Sequence, residues 1–98
     1  MIRVIYRWQV EPDTFEEFKK VWRVTTNQIH DSVPGALGSF MLRAHESGSD
    51  VLTVAKWDSI ESWKQFWGNS DPQEMGEMRR LGKRISVDVY YEIEDHTR

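Results

Sequence analysis

Residues Ile2 to Val10 alternate, with Ile2, Val4, Tyr6, Trp8 and Val10 on one face and Arg3, Ile5, Arg7 and Gln9 on the other. A period of two in β-branched and aromatic residues predicts a strand. Glu11-Pro12-Asp13 interrupts it. Pro12 suits a first helical turn, and Asp13, Glu16 and Glu17 complement the positive end of the helix dipole. Phe15, Phe18, Trp22, Thr25 and Ile29 then recur at spacings that share one helical stripe. Val33-Pro34-Gly35 ends the helix, because the residue before proline avoids helical geometry and glycine permits a turn.

From Ala36 to His45 alternation returns, with Leu37, Ser39, Met41, Arg43 and His45 opposing Gly38, Phe40, Leu42 and Ala44. Both sets contain apolar residues, which predicts a strand covered on both sides. Glu46-Ser47-Gly48-Ser49-Asp50 is a turn cluster, and Val51 to Trp57 reads as the third strand. Asp58-Ser59 with Glu61 marks a helix start with a capping partner, and Ile60, Trp63, Phe66 and Trp67 give that helix its apolar face. Asn69-Ser70-Asp71-Pro72 interrupts, and Pro72 opens a further turn carrying Met75, Met78 and Leu81. Ile85, Val87, Val89, Tyr91 and Ile93 alternate as a last strand before a polar tail from Glu94.

The order strand, helix, strand, strand, helix, strand is the split βαβ, ferredoxin-like pattern of an α+β fold, here a single domain over residues 1–98. Helices cover one face of such an antiparallel sheet. Ile5, Phe40 and Leu42 belong to the other, and the chain has no element left to hide them. A second copy is the cheapest cover, so the pattern predicts a homodimer packed through its sheet face.

Composition narrows the chemistry. Thirteen Lys and Arg against sixteen Asp and Glu leave a net charge of −3, without the basic excess that holds nucleic acid. Cysteine is absent, which removes disulfides, thiol nucleophiles and zinc knuckles. No apolar run approaches the roughly 20 residues of a membrane span, so a cytoplasmic protein with no membrane partner is expected. Histidine spacing offers no metal site: HxH and HxxxH patterns are missing. The surplus is aromatic. Five Trp, three Tyr and four Phe are more rings than a thin core of 98 residues readily absorbs.

Trp8 at the end of the first strand, the Phe15–Phe18–Trp22 helix, Pro34-Gly35, and Trp57-Asp58-Ser59-Ile60-Glu61-Ser62-Trp63 running into Phe66-Trp67 together resemble the antibiotic-biosynthesis monooxygenase family of dimeric α+β barrels. The resemblance spans about Ile2 to Ile93. It implies a pocket between each subunit's helices and its sheet, holding an aromatic substrate. Some members oxidise phenols or hydroquinones to quinones with dioxygen, without metal or flavin, and others have no established activity. A separate branch degrades haem, using an Asn on the first strand, a Trp on the second helix and a His on the following turn. The nearest positions here hold Tyr6, Phe66 with Trp67 beside it, and Glu77 or Met78. The missing His argues against haem.

The expected function is a cofactor-independent monooxygenase acting on a small electron-rich aromatic of phenol or hydroquinone type. Two other readings are a non-catalytic binding module for a small hydrophobic molecule and a divergent haem protein. Tyr6, Arg7, His30 and His45 are the candidates for proton or oxyanion handling. Trp8, Trp22, Phe66, Trp67 and Met78 are the candidates for substrate binding, because stacked rings and dispersion hold a flat guest. Trp57 and Trp63 are assigned structural roles. Arg3 and Arg7, with Arg43 and Lys56, are expected to share a face and to pair with Asp88, Glu92 or Glu46.

Overall fold

The structure, a computed structural model, describes residues 1–68 and 75–97. Strand β1 (Ile2–Gln9) leads through a 3₁₀ turn at Pro12–Thr14 into helix α1 (Phe15–Ser32). Strands β2 (Ala36–Arg43) and β3 (Asp50–Trp57) follow, then helices α2 (Ile60–Trp67) and α3 (Gly76–Leu81) and strand β4 (Lys83–Tyr91). The predicted Pro72 turn lies outside the described residues. The sheet order is β2-β3-β1-β4, antiparallel at every pairing. This is the α+β ferredoxin-like architecture that the pattern predicted. Among the described residues, no helix is long and apolar enough to cross a membrane.

Strand β1 is central because both its edges are paired and its alternation is the cleanest. Ile2, Val4, Tyr6 and Trp8 face the helices and are buried, across from Trp57, Ala55, Thr53 and Val51 of β3. Phe18, Trp63, Met75 and Met78 close over them. The helix entry at α2 differs from the expected capping box. Ser59 is the cap, its Oγ accepting the Ser62 N–H at 3.2 Å, so Glu61 is not the reciprocal partner.

Two irregularities redistribute side chains relative to strict alternation. In β2, Ala36 pairs with Trp57 and Ser39 with Ala55, so two residues stand opposite Lys56 alone. Gly38 absorbs this bulge at φ 101°. Ala36 therefore shares the helix side with Ser39, the place that alternation assigns to Leu37. In β4 the register slips between Arg7 and Trp8, which pair with Ser86 and Arg84. Ile85 becomes the extra residue, half exposed, and Arg84 turns toward the helices in its place.

Gly35 is required for a different reason. Its φ is 90°, and a Cβ there would stand 2.5 Å from the Ser62 Cβ and 2.6 Å from Asp58 Oδ1. The Asp58 N–H donates to the Gly35 carbonyl at 2.9 Å, so the turn after α1 is clamped to the start of α2.

The sheet's outer face carries a line of Phe40, Val54 and Ile5, with Leu42 beside Leu52. Phe40 is 45% and Leu42 50% exposed. Charges border this strip. Arg3 Nε donates to Glu92 at 2.7 Å with its guanidinium 6.0 Å from the Phe40 ring centre, and Arg7 forms a two-pronged pair with Asp50. Arg43 is not part of this group. It pairs in register with Val51 on the helix side and lies over the Phe15 ring at 4.3 Å.

Candidate functional site

A cleft opens between α1 and the β2–β3–β1 portion of the sheet, and Phe66, Met75 and Met78 close its far side. The amphipathic stripe of α1 delivers Trp22, Thr25 and Ile29 to it, and the sheet supplies Tyr6, Ser39 and Thr53. Its free volume is only about 40 Å³, widening to about 470 Å³ when the open mouth is included. A cavity that takes up benzene measures roughly 150 Å³. The pocket between helices and sheet is thus a narrow slot with a wide mouth. A planar guest enters fully only when lining side chains yield, and the unbranched Met75 and Met78 are the most adaptable of them.

Tyr6 lies at the bottom and is 4% exposed. Its oxygen accepts the Trp63 indole N–H at 3.2 Å. Burial raises its pKa to about 12, outweighing the opposing effects of that hydrogen bond and of the Arg84 charge. The phenol is therefore protonated near neutral pH and keeps an O–H that it can donate.

Two further hydroxyls of the lining are held in the same way. Trp22 Nε1 donates to Ser39 Oγ at 3.3 Å, and Trp8 Nε1 donates to Thr53 Oγ1 at 3.1 Å. Behind Tyr6, Trp67 stacks on Trp63 with ring centres 5.7 Å apart and planes 18° apart. The Arg84 guanidinium covers Trp67 at 5.0 Å.

Of the residues predicted for proton or oxyanion handling, Tyr6 and His30 line the cleft, His30 at its exposed rim. Arg7 does not. Odd positions of β1 face away from the helices, and its ion pair with Asp50 at 2.8 Å holds it on the outer face. His45 is exposed in the β2–β3 connection and is not among the lining residues.

Of the predicted substrate contacts, Trp22, Phe66 and Met78 line the cleft. Trp8 is fully buried in the core, edge-on to Phe18 at 5.2 Å, and reaches the cleft only through Thr53. Trp67 stands beside Tyr6 at 5.7 Å, outside the lining. Trp57, assigned to structure alone, does line the cleft and packs on Phe66 at 5.3 Å.

Sequence reasoning passed over Arg84, Ser39 and Thr53. The β4 bulge hides Arg84, since alternation from Ile85 places it on the opposite face. Ser39 and Thr53 were visible as polar interruptions on otherwise apolar strand faces. Haem does not fit this arrangement. Met78 is buried in the lining, Glu77 is exposed and paired with Arg80 at 2.9 Å, and the slot is far too small for a porphyrin.

A ferredoxin-like α+β domain with a hydroxyl- and ring-lined cleft between helices and sheet is the class that fold and site define. The sequence pattern of the antibiotic biosynthesis monooxygenase family matches residues 1–76, and the chain belongs to that family. Among proteins with curated functions, none matches the sequence.

Several solved structures share the fold. A point mutant of SnoaB, a cofactor-independent oxygenase from Streptomyces nogalater, superposes with a TM-score of 0.76 at 15% identity, over 99% of this chain and 97% of that one. A Caulobacter crescentus protein grouped with the antibiotic biosynthesis monooxygenases has a TM-score of 0.76 at 19% identity, covering 95% and 90% of the two chains. One from Nitrosomonas europaea, grouped likewise, has a TM-score of 0.73 at 14% identity, covering 96% and 100%.

Proposed function

We propose that the chain is a cofactor-independent monooxygenase that converts a small phenol to a quinone. The observation that carries this reading is the Tyr6 hydroxyl, buried at the foot of a ring-lined cleft, kept protonated and held there by the Trp63 N–H whose bond it accepts. Family membership and the likeness to SnoaB, itself a cofactor-independent oxygenase, support it.

Dioxygen is a triplet and reacts with closed-shell organic molecules chiefly after receiving one electron from an anion. The protein's task is then to favour the phenolate and shield it from water. Tyr6 donates to the phenolate oxygen, and a donor aimed at developing charge in a water-poor site is worth several kcal/mol. His30 at the rim takes the phenolic proton toward solvent. The phenolate passes an electron to dioxygen, and the two radicals join at a ring carbon as a peroxide. Loss of water leaves the second carbonyl. Overall, phenol plus dioxygen gives quinone plus water, one oxygen atom going to each product.

The same reading includes a homodimer through the outer sheet face, supported by the exposed Phe40 and Leu42 beside Ile5, Leu52 and Val54. Oxygen uptake with a panel of hydroquinones, naphthols and anthrones tests the activity. Uptake above the buffer rate, lowered at least tenfold in Tyr6→Phe, is expected. Identical rates for protein and buffer across the panel, with ligand binding retained, would favour a non-catalytic binding module in the same cleft. The small free volume of the slot, about 40 Å³ with Tyr6 buried at its foot, is the observation that favours that second reading.

A further inference from the structure

Three indoles set the cleft's hydrogen-bonding character, and with it the kind of molecule the cleft binds. Indole N–H groups only donate. Trp63, Trp22 and Trp8 each direct theirs at a hydroxyl oxygen of the cleft lining, on Tyr6, Ser39 and Thr53 respectively. A hydroxyl that has accepted such a bond still carries its own hydrogen, which needs an acceptor. Among the described residues, none of these three hydroxyls has an acceptor for that hydrogen. The effect is strongest at Tyr6, where the planar phenolic oxygen has one favourable in-plane lone pair and Trp63 occupies it. The described lining also contains no carboxylate to receive these protons. Outside the lining, the Arg84 guanidinium over Trp67 lies near enough to Tyr6 to act on its phenol electrostatically.

The geometry points to a site that recognises planar molecules through their acceptor oxygens, taking the quinone or other carbonyl form in preference to the hydrocarbon or fully reduced diol of the same shape. This rests on the proposed cleft function and names the ligand class for it. It also implies that a quinone product leaves the cleft slowly and competes with fresh phenol.

Equilibrium binding without dioxygen tests the inference independently of turnover. The probes are 2,3-dimethyl-1,4-naphthoquinone, its diol kept reduced under argon, and 2,3-dimethylnaphthalene, followed by calorimetry or ligand-observed NMR. The quinone is expected to bind roughly 3- to 10-fold more tightly than the hydrocarbon for each hydrogen bond gained. Tyr6→Phe and Ser39→Ala should each narrow that margin. Trp63→Phe frees the Tyr6 lone pair and should narrow the preference for quinone over diol. If Trp63→Phe does not fold, Ser39→Ala, at a half-buried site, carries the test alone. Equal binding of quinone and hydrocarbon, or a preference for the diol, overturns the inference and leaves the cleft reading standing. Failure of all three probes to bind overturns both.

Discussion

The Trp63 indole N–H meets the Tyr6 phenolic oxygen at 3.2 Å, joining a residue of α2 to the centre of β1 across the core. Both partners are buried, so neither has water as a substitute. Tyr6→Phe leaves the Trp63 N–H without its acceptor, at a cost of about 1–3 kcal/mol. Chemical denaturation of the two proteins checks this. A loss below about 0.5 kcal/mol would mean that the indole finds another acceptor.

The same phenol shapes stability at alkaline pH. Its folded pKa is raised from 10 to about 12, because burial disfavours the phenolate. The contribution is fully present below pH 10 and is lost as pH rises through about 12, since the unfolded chain ionises first. That difference corresponds to roughly 3 kcal/mol. The wild type should therefore lose stability across this window more steeply than Tyr6→Phe. Tyrosinate absorbance should show a phase near pH 12 that the variant lacks. Its persistence in Tyr6→Phe would assign it elsewhere.

Gly35 and Gly38 both hold positive φ, at 90° and 101°, yet only Gly35 is crowded. Alanine at position 38 meets nothing within 4 Å and carries backbone strain alone, about 1–2 kcal/mol. At position 35 it adds collision with Ser62 and Asp58, so Gly35→Ala should be the more damaging by at least about 1 kcal/mol. Thermal unfolding of the pair compares them directly, and equal losses would refute the clamp between the α1–β2 turn and α2.

Much of this was legible in the chain. The alternation of Ile2 to Val10 placed Tyr6 toward the helices correctly, and the stripe of Phe15, Phe18 and Trp22 marked the packed face of α1. What escaped were the two places where one extra residue breaks the period. At Ile85 the bulge exchanges a predicted core residue for Arg84, and at Leu37–Gly38 it shifts which residues of β2 meet α1. A bulge in one strand is defined by its partner's register, which local periodicity does not encode. The hydroxyl–indole pairs escaped for a related reason. Trp8 and Thr53 are 45 residues apart, and only tertiary packing brings them together.

Arg7 was legible as a strand residue and misplaced as a site residue. It faces away from the cleft and pairs with Asp50, so Arg7→Ala should leave phenol oxidation and quinone binding unchanged. A large fall in either, with folding intact, would reopen the assignment. Phe40→Glu, on the same outer face, should convert the proposed dimer into a species of 11.6 kDa by light scattering. Because Phe40 is 45% exposed in the protomer, its replacement should leave the fold intact. An unchanged mass would remove the sheet face as the interface.

The near-parallel packing of Trp63 on Trp67, 18° between planes at 5.7 Å, also has an optical consequence. Two indoles this close couple their excited states and produce a paired, oppositely signed band in circular dichroism. Both rings belong to α2, one turn apart, so a guest that moves this helix as a unit leaves their overlap intact, and only a change within the helix itself alters it. The chain thus contains a label-free gauge of whether the last turn of α2 stays wound when a guest binds, readable in stopped flow before a single turnover is complete.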